Sequence, residues 1–233
     1  ITSNAIKEAA AAALTAAASA TADIPILGTS ITAYGVALDL DDFNGTVGGN
    51  ISGTSDLAPL EDQAQMILDL VPDAKTVGML YCSGEPNSAY QVQVVKAYLE
   101  GKGITVEDYS FSASSDVAIV AAAAAAACDA IYIPTDNTAA TCTETINNVV
   151  LPTKTPIIAG EAGICSGCGI ATLSISYYEL GKQTGEMAAK ILKGEADISQ
   201  MPIAYDPKPV KKYNAALCEE LGIQIPEDYE PLS

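Results

Sequence analysis

The sequence predicts an α/β protein built from two Rossmann-like lobes with parallel sheets, and three observations predict it. From residue 75 to 175 short apolar runs alternate with helical patterns, which implies parallel βαβ crossovers with right-handed connections. Three of those runs, 77–81, 130–133 and 155–159, each lead into a short polar loop: CSGEPNS (82–88), PTDN (134–137) and GEAG (160–163). In an open parallel sheet such strand ends face one crevice, and ligands bind there. The segment before residue 75 has the same grammar and reads as the end of a second, similar unit.

Taken in order, Ile1-Thr2-Ser3-Asn4 reads as the tail of a strand and residues 5–20 as an Ala-rich helix. Opening on half an element predicts that the natural protein extends further at its N-terminus, so a missing leader carries little weight. Residues 25–29 form a strand, followed by the loop SITAYG (30–35); a short strand at 50–55 follows the Gly-rich turn 45–49. A helix over 59–70 presents Ala64, Ile67, Leu68 and Val71, and Pro72-Asp73 stops it. The strand TVGMLY precedes a helix over 88–101 with Val92, Val95 and Leu99 on one face, and then the strand ITVEDYSF. A Ser-Ser-Asp cap signal opens a helix over 114–128. The strand DAIYI, a helix over 138–150 and the strands TPIIA and IATLSIS complete the pattern. The helix 177–194 buries a stripe of Leu180, Met187, Ala188, Ile191 and Leu192, with Gly194 as C-cap. From Met201 the chain is Pro-rich, helical over 213–221, then loose.

Composition removes several classes of function. A formal charge of −18 argues against nucleic acid and against anionic lipid. No uninterrupted apolar run reaches the roughly 20 residues of a bilayer span. The chain has no histidine, so acid–base catalysis and imidazole metal ligation lose their usual residue. Of six cysteines, Cys165 and Cys168 form a CxxC in a Gly-rich stretch. Zinc needs a second ligand pair, which is missing, and a thioredoxin-like site wants the CxxC opening a helix near the first βαβ unit. A small disulfide between Cys165 and Cys168 or two free thiols remain. No metal and no cofactor is expected. Two Phe, no Trp and eleven Tyr leave few aromatics for an aromatic-selective pocket; Tyr81, Tyr132, Tyr177 and Tyr178 lie on core elements and read as packing residues.

Five strings resemble a known family: VGMLYCSGEPNSAYQ with its E-x-N-S loop, DAIYIPTDNTA, GGNISGTSDLAPLEDQ, YYELGKQTGEMAAKILKGE and LGIQIPEDY. Together they are similar to the substrate-binding proteins of bacterial ABC transporters of the tryptophan/tyrosine-binding (TrpX-like) type. The resemblance implies a type I periplasmic-binding-protein fold with ligand in the cleft between its lobes. Residues 1–56 plus 172–200 would make the first lobe, incomplete at its N-terminus. Residues 57–171 would make the second, with 201–233 packing back on both. It also implies an extracytoplasmic location, a signal segment often carrying a lipidated cysteine, and a membrane permease and ATPase as partners.

An amino-acid ligand needs neutral donors for its carboxylate and an anion for its ammonium. Asn87 and Ser88, at the start of the helix 88–101, fit the first need or simply cap that helix. Asp136 is the first candidate for the ammonium, with Glu161 the second and Asn137 in support of either group; the bland reading of Asp136 is a cap on the helix 138–150. Thr2, Ser3 and Asn4 form another candidate cradle, although the family has Thr-Pro at that place. Ser30 and Thr32 face the cleft by the strand-end argument. The family reads Thr-Asp-Pro where this chain has Thr32-Ala33-Tyr34, so Tyr34 stacks on an aromatic ligand or covers the hinge. An aromatic ligand (Trp, Tyr or Phe) rests on the resemblance; the residues by themselves support a small zwitterion. Two other classes compete: a ligand-sensing domain of a receptor or regulator on the same fold, and an α/β enzyme using Asp136 or Glu161 as base or Cys82 as nucleophile.

Overall fold

The computed structural model describes residues 3–41 and 43–232, with side chains from residue 10. The chain divides into two compact units, residues 1–57 with 175–208 and residues 58–174 with 209–233, so it passes between them three times.

In the first unit α1 (Ser3–Ala20) packs on β1 (Ile26–Gly28), which pairs in parallel with β2 (Ile51–Gly53); α2 (Tyr34–Ala37) lies between the strands in sequence. The core gathers Leu14, Ile31, Tyr34, Ile51 and Ile203. Gly28 pairs with Gly53, and the Tyr34 ring lies against both. Gly53 has φ +145°, and a Cβ there would meet the Gly28 carbonyl oxygen and the Tyr34 hydroxyl. Only glycine suits that position.

The second unit holds α3 (Leu60–Leu70), β3 (Thr76–Cys82), α4 (Pro86–Gly101), β4 (Thr105–Phe111), α5 (Val117–Ala127) and β5 (Ala130–Ile133). It continues with α6 (Asn137–Thr141), α7 (Thr143–Val150), β6 (Ile157–Ala159), α8 (Ala162–Cys168) and β7 (Ala171–Ser174). After α9 (Tyr177–Leu192), which belongs to the first unit, the chain returns with β8 (Val210–Tyr213), α10 (Ala215–Leu221) and β9 (Glu230–Pro231). The sheet order is β4-β3-β5-β6-β7-β8-β9, parallel except where β8 runs against β7. From β3 the chain steps one way to β4 and then the other way through β5, β6 and β7, so the order reverses between β3 and β5. Right-handed crossovers in opposite directions place helices on both faces. Leu80 of β3 accordingly joins the cluster around Phe111, Ile133, Ile146 and Ile164, while its neighbours Val77 and Met79 are buried on the other face.

The sequence pattern and the structure differ in identifiable places. The helix expected over 138–150 is two, α6 and α7, broken at Cys142. The Ser-Ser-Asp signal does not cap α5: Asp116 makes no side-chain bond to the helix, and Ser112 and Ser115 donate to its carboxylate instead. In α9, Leu180 and Met187 are buried as the stripe predicts, but Leu192 is 88% exposed and Tyr178 78% exposed. Two strands go beyond the sequence pattern: in the Pro-rich stretch Val210–Tyr213 extends the sheet beyond β7, in register Ala171 to Tyr213, and in the tail read as loose Glu230–Pro231 pairs with it. Residues 201–208 fall in the first unit and 209–233 in the second. Among the described residues no helix is long and apolar enough to cross a membrane.

Candidate ligand-binding site

The reversal between β3 and β5 is where an open α/β sheet binds its ligand, outside the strands' carboxyl ends. Here the two loops at that point are tied together. Asp136 follows β5 and caps α6; its Oδ1 accepts the Ala139 N–H at 2.7 Å. Its Oδ2 crosses to β3 and accepts the Cys82 N–H at 2.7 Å. The side chain is only 1% exposed. Burial pushes its pKa up, the Ala139 N–H pulls it back, and the neighbouring Glu85 charge adds to the rise.

Glu85, from the β3–α4 loop, returns the tie and was not among the residues the sequence pattern singled out. Its Oε2 accepts the Asn137 N–H at 2.9 Å and the Asn137 Nδ2 at 3.0 Å. Its Oε1 accepts the Thr138 N–H at 2.8 Å and the Thr138 hydroxyl at 2.7 Å. The opening N–H groups of a helix have no partner within it. Glu85 and Asp136 supply acceptors for the first three of α6, at Asn137, Thr138 and Ala139. The E-x-N-S string announced a polar loop; that its glutamate serves another helix is a tertiary fact.

Glu85 is also the N-cap of α4, which starts at Pro86, two residues before the expected boundary. Asn87 is half-buried in the first turn and donates from Nδ2 to the Thr135 carbonyl at 3.1 Å. Ser88 is fully buried. Its hydroxyl makes no hydrogen bond, although it lies close enough to favour ionised Asp136. Beneath these residues the Gln91 amide pairs with both main-chain groups of Thr135, accepting from its N–H at 3.0 Å and donating to its C=O at 3.2 Å. Gln63 donates to the Gly160 carbonyl at 3.1 Å and accepts from the Tyr132 hydroxyl. This buried amide network fixes the loops after β5 and β6.

Glu161 is the N-cap of α8: Oε1 accepts the Ile164 N–H at 2.6 Å and Oε2 the Gly163 N–H at 2.9 Å. The CxxC lies inside that helix rather than in a loop, and both cysteines are free thiols. Cys165 donates to the Gly169 carbonyl and Cys168 to the Ile164 carbonyl, each at 3.5 Å. Burial, joined for Cys165 by neighbouring thiols, pushes both pKa values up, that of Cys168 to about 12. Among the described residues no cluster of three acids or thiols could hold a metal.

The first unit's strand-end loop is held by different means. Ser30 sits at φ 53° and donates its N–H to the Thr54 hydroxyl at 3.2 Å. The Thr32 carbonyl accepts from the Ser55 hydroxyl at 3.0 Å, and the Thr32 side chain is half-buried. Tyr34, read as a stacking or hinge residue, is 1% exposed in the first unit's core and donates its hydroxyl to the Thr54 carbonyl at 3.2 Å. Its pKa is driven up chiefly by burial. Asp56, also buried, accepts from the Tyr177 hydroxyl at 3.1 Å. Thr2 and the side chains of Ser3 and Asn4 lie outside the described residues; α1 begins at Ser3.

A doubly wound sheet whose reversal is lined with amides and acids, preceded by a second α/β unit, is the architecture of type I periplasmic-binding proteins. The chain belongs to the ABC transporter substrate binding protein family, whose model matches residues 4–230. It is 33% identical over 191 residues to a tyrosine-binding protein of Clostridioides difficile, a match covering 81% of this chain and 54% of that protein, so the chain spans about half the length of this curated relative. Among solved structures it is similar to the ligand-free, open form of a substrate-binding protein with adhesive properties from Clostridium difficile. There the TM-score is 0.80 at 32% identity, with 96% of this chain and 76% of that one covered. It is also similar to a Streptococcus pneumonia ABC domain in complex with L-Trp, at TM-score 0.79 and 34% identity, covering 93% of this chain and 73% of that one.

Proposed function

We propose that this chain is the extracytoplasmic solute-binding component of an ABC importer, which holds an amino acid, aromatic by preference, and hands it unchanged to a membrane permease. The relatives named for tyrosine and solved with L-Trp support the ligand class. The observation that carries the reading is the pair of ties across the β3–β5 reversal, which keeps the ligand-facing loops of the second unit rigid before any ligand arrives. Preorganisation of this kind lowers the cost of binding.

We read the roles within the candidate set as follows. Asp136 has both oxygens on N–H groups and almost no exposed surface, so it acts on an ammonium through its field rather than by contact. Asn87 and Asn137, both half-buried, are the contact residues in the second unit, with Ser30 and Thr32 in the first. The three groups an enzyme would need favour a binder instead. Asp136 and Glu161 are engaged with main-chain N–H groups, and Cys82 is 4% exposed.

A thermal-shift series tests this reading. L-tyrosine or L-tryptophan at 100 times its Kd should add about 2.7 kcal/mol to stability, while hexoses add nothing. A shift with sugars and none with any amino acid would overturn it.

A further inference from the structure

The ties between the β3 and β5 loops are not equivalent. Those made by Asp136 go to main-chain N–H groups and hold the backbone in place. Each Glu85 oxygen takes one main-chain and one side-chain donor. Satisfying the two α6 N–H groups needs only an acceptor, and water supplies that at many helix ends. The side-chain bonds do something water would not. A carboxylate facing Asn137 admits only the NH2 side of its amide, because oxygen against oxygen repels. With the N–H and the Nδ2 of Asn137 on the same Oε2, at 2.9 and 3.0 Å, the side-chain rotamer and the facing of the amide are both set. Glu85 is itself 8% exposed, so its charge is little screened, whereas Asn137 keeps part of its surface.

Topology gives this arrangement its place. Glu85 comes from one side of the strand-order reversal and Asn137 from the other, at the point where an open sheet of this kind takes its ligand. We propose that Glu85 is the positioning residue of the second unit's binding surface: a built-in anion that presents the Asn137 amide in one orientation and closes the start of α6 to any other carboxylate. The proposal rests on the amino-acid reading above. It assigns the ligand's own carboxylate to groups other than the α6 N–H donors.

Removing the carboxylate and returning it as a small molecule tests this. Binding of L-tyrosine is measured by calorimetry for the wild type, Glu85→Ala and Glu85→Gln, well below each melting temperature, with and without excess formate. The expected result is a Kd at least about tenfold weaker for Glu85→Ala, ~1.4 kcal/mol, recovered in large part by formate. Formate fits the space the carboxylate leaves and offers acceptors to the same donors. Glu85→Gln, with one acceptor oxygen for four donors, should fall between wild type and Glu85→Ala and gain nothing from formate. A merely structural Glu85 would lower the melting temperature and leave Kd unchanged in the folded protein. Wild-type Kd in either folded variant, or a loss in Glu85→Ala that formate leaves untouched, overturns the proposal. Should Glu85→Ala fail to fold, the Kd of Glu85→Gln decides alone. A wild type that binds no amino acid sinks the functional reading instead, and shows it before any variant is made.

Discussion

The two units hold their strand-end loops by different physics. In the first, a buried phenol and a glycine pair do it: Tyr34 fills the space over Gly28 and Gly53 and its hydroxyl reaches the Thr54 carbonyl. In the second, carboxylates do it: Glu85, Asp136 and Glu161 each place both oxygens on donors at the start of a helix or the end of a strand. Shape complementarity is unforgiving to added volume and indifferent to pH. Carboxylate ties tolerate volume changes around them but respond to the loss of a single charge or proton. The contrast predicts a different sensitivity for each unit.

The largest effect should come from Gly53→Ala. The new Cβ meets main-chain oxygen in a backbone conformation L-residues avoid, so the loss should be about 3 kcal/mol or more. Hydrogen exchange should show it as lost protection at Ile26–Gly28 and Ile51–Gly53, with β3 and β5 amides unchanged. Equal loosening of both units would erase the contrast.

Next is Asp136→Ala, which strands the buried Cys82 and Ala139 N–H groups. A loss of about 2–3 kcal/mol is expected by denaturant titration, now confined to the second unit. Asp136→Asn sharpens the point through pH. Burial and the Glu85 charge raise the folded pKa of Asp136 above the ordinary value of about 3.9. The native state therefore keeps this proton to higher pH than the unfolded chain does. The group's contribution is greatest below the unfolded pKa and falls as pH rises through the folded value. The wild type's margin over Asp136→Asn should accordingly be widest in acid and narrow as pH climbs; a margin that widens instead would contradict the assigned shift.

Smaller changes follow. Tyr34→Phe removes one hydrogen bond and keeps the ring, so it should cost about 1 kcal/mol and leave amino-acid affinity unchanged. A large drop in affinity would restore a ligand-facing role to Tyr34. Glu161→Ala deletes an N-cap and should cost about 0.5–1 kcal/mol by thermal unfolding, without altering Kd.

What the sequence made legible follows the same division. The apolar runs and polar strand-end loops identified the α/β class, because burial and turn chemistry are local in sequence. The role of each polar side chain was harder, because it depends on partners far along the chain. Asp136 reads first as a ligand contact and second as a cap, and no local pattern says that the Cys82 N–H, 54 residues earlier, donates to it. Glu85 gave no local sign, since its partners lie 52 and 53 residues away. Tyr34 reads as a stacking or hinge residue because nothing in SITAYG says that two glycines, one 19 residues later, leave room for its ring. The β8 strand escaped because a Pro-rich approach and two lysines hide a sheet position that only β7 defines. The CxxC looked like a loop because of its glycines, although Glu161, four residues before Cys165, caps a helix through it.

The central claim is that the chain captures an amino acid and does no chemistry on it. Titrating L-tyrosine and L-tryptophan by calorimetry, then releasing the ligand with denaturant for mass spectrometry, tests this most directly. Saturable one-to-one binding of at least one of the two, and recovery of the released molecule at unaltered mass, are expected. Heat of binding from neither, or a released molecule of changed mass, would contradict it.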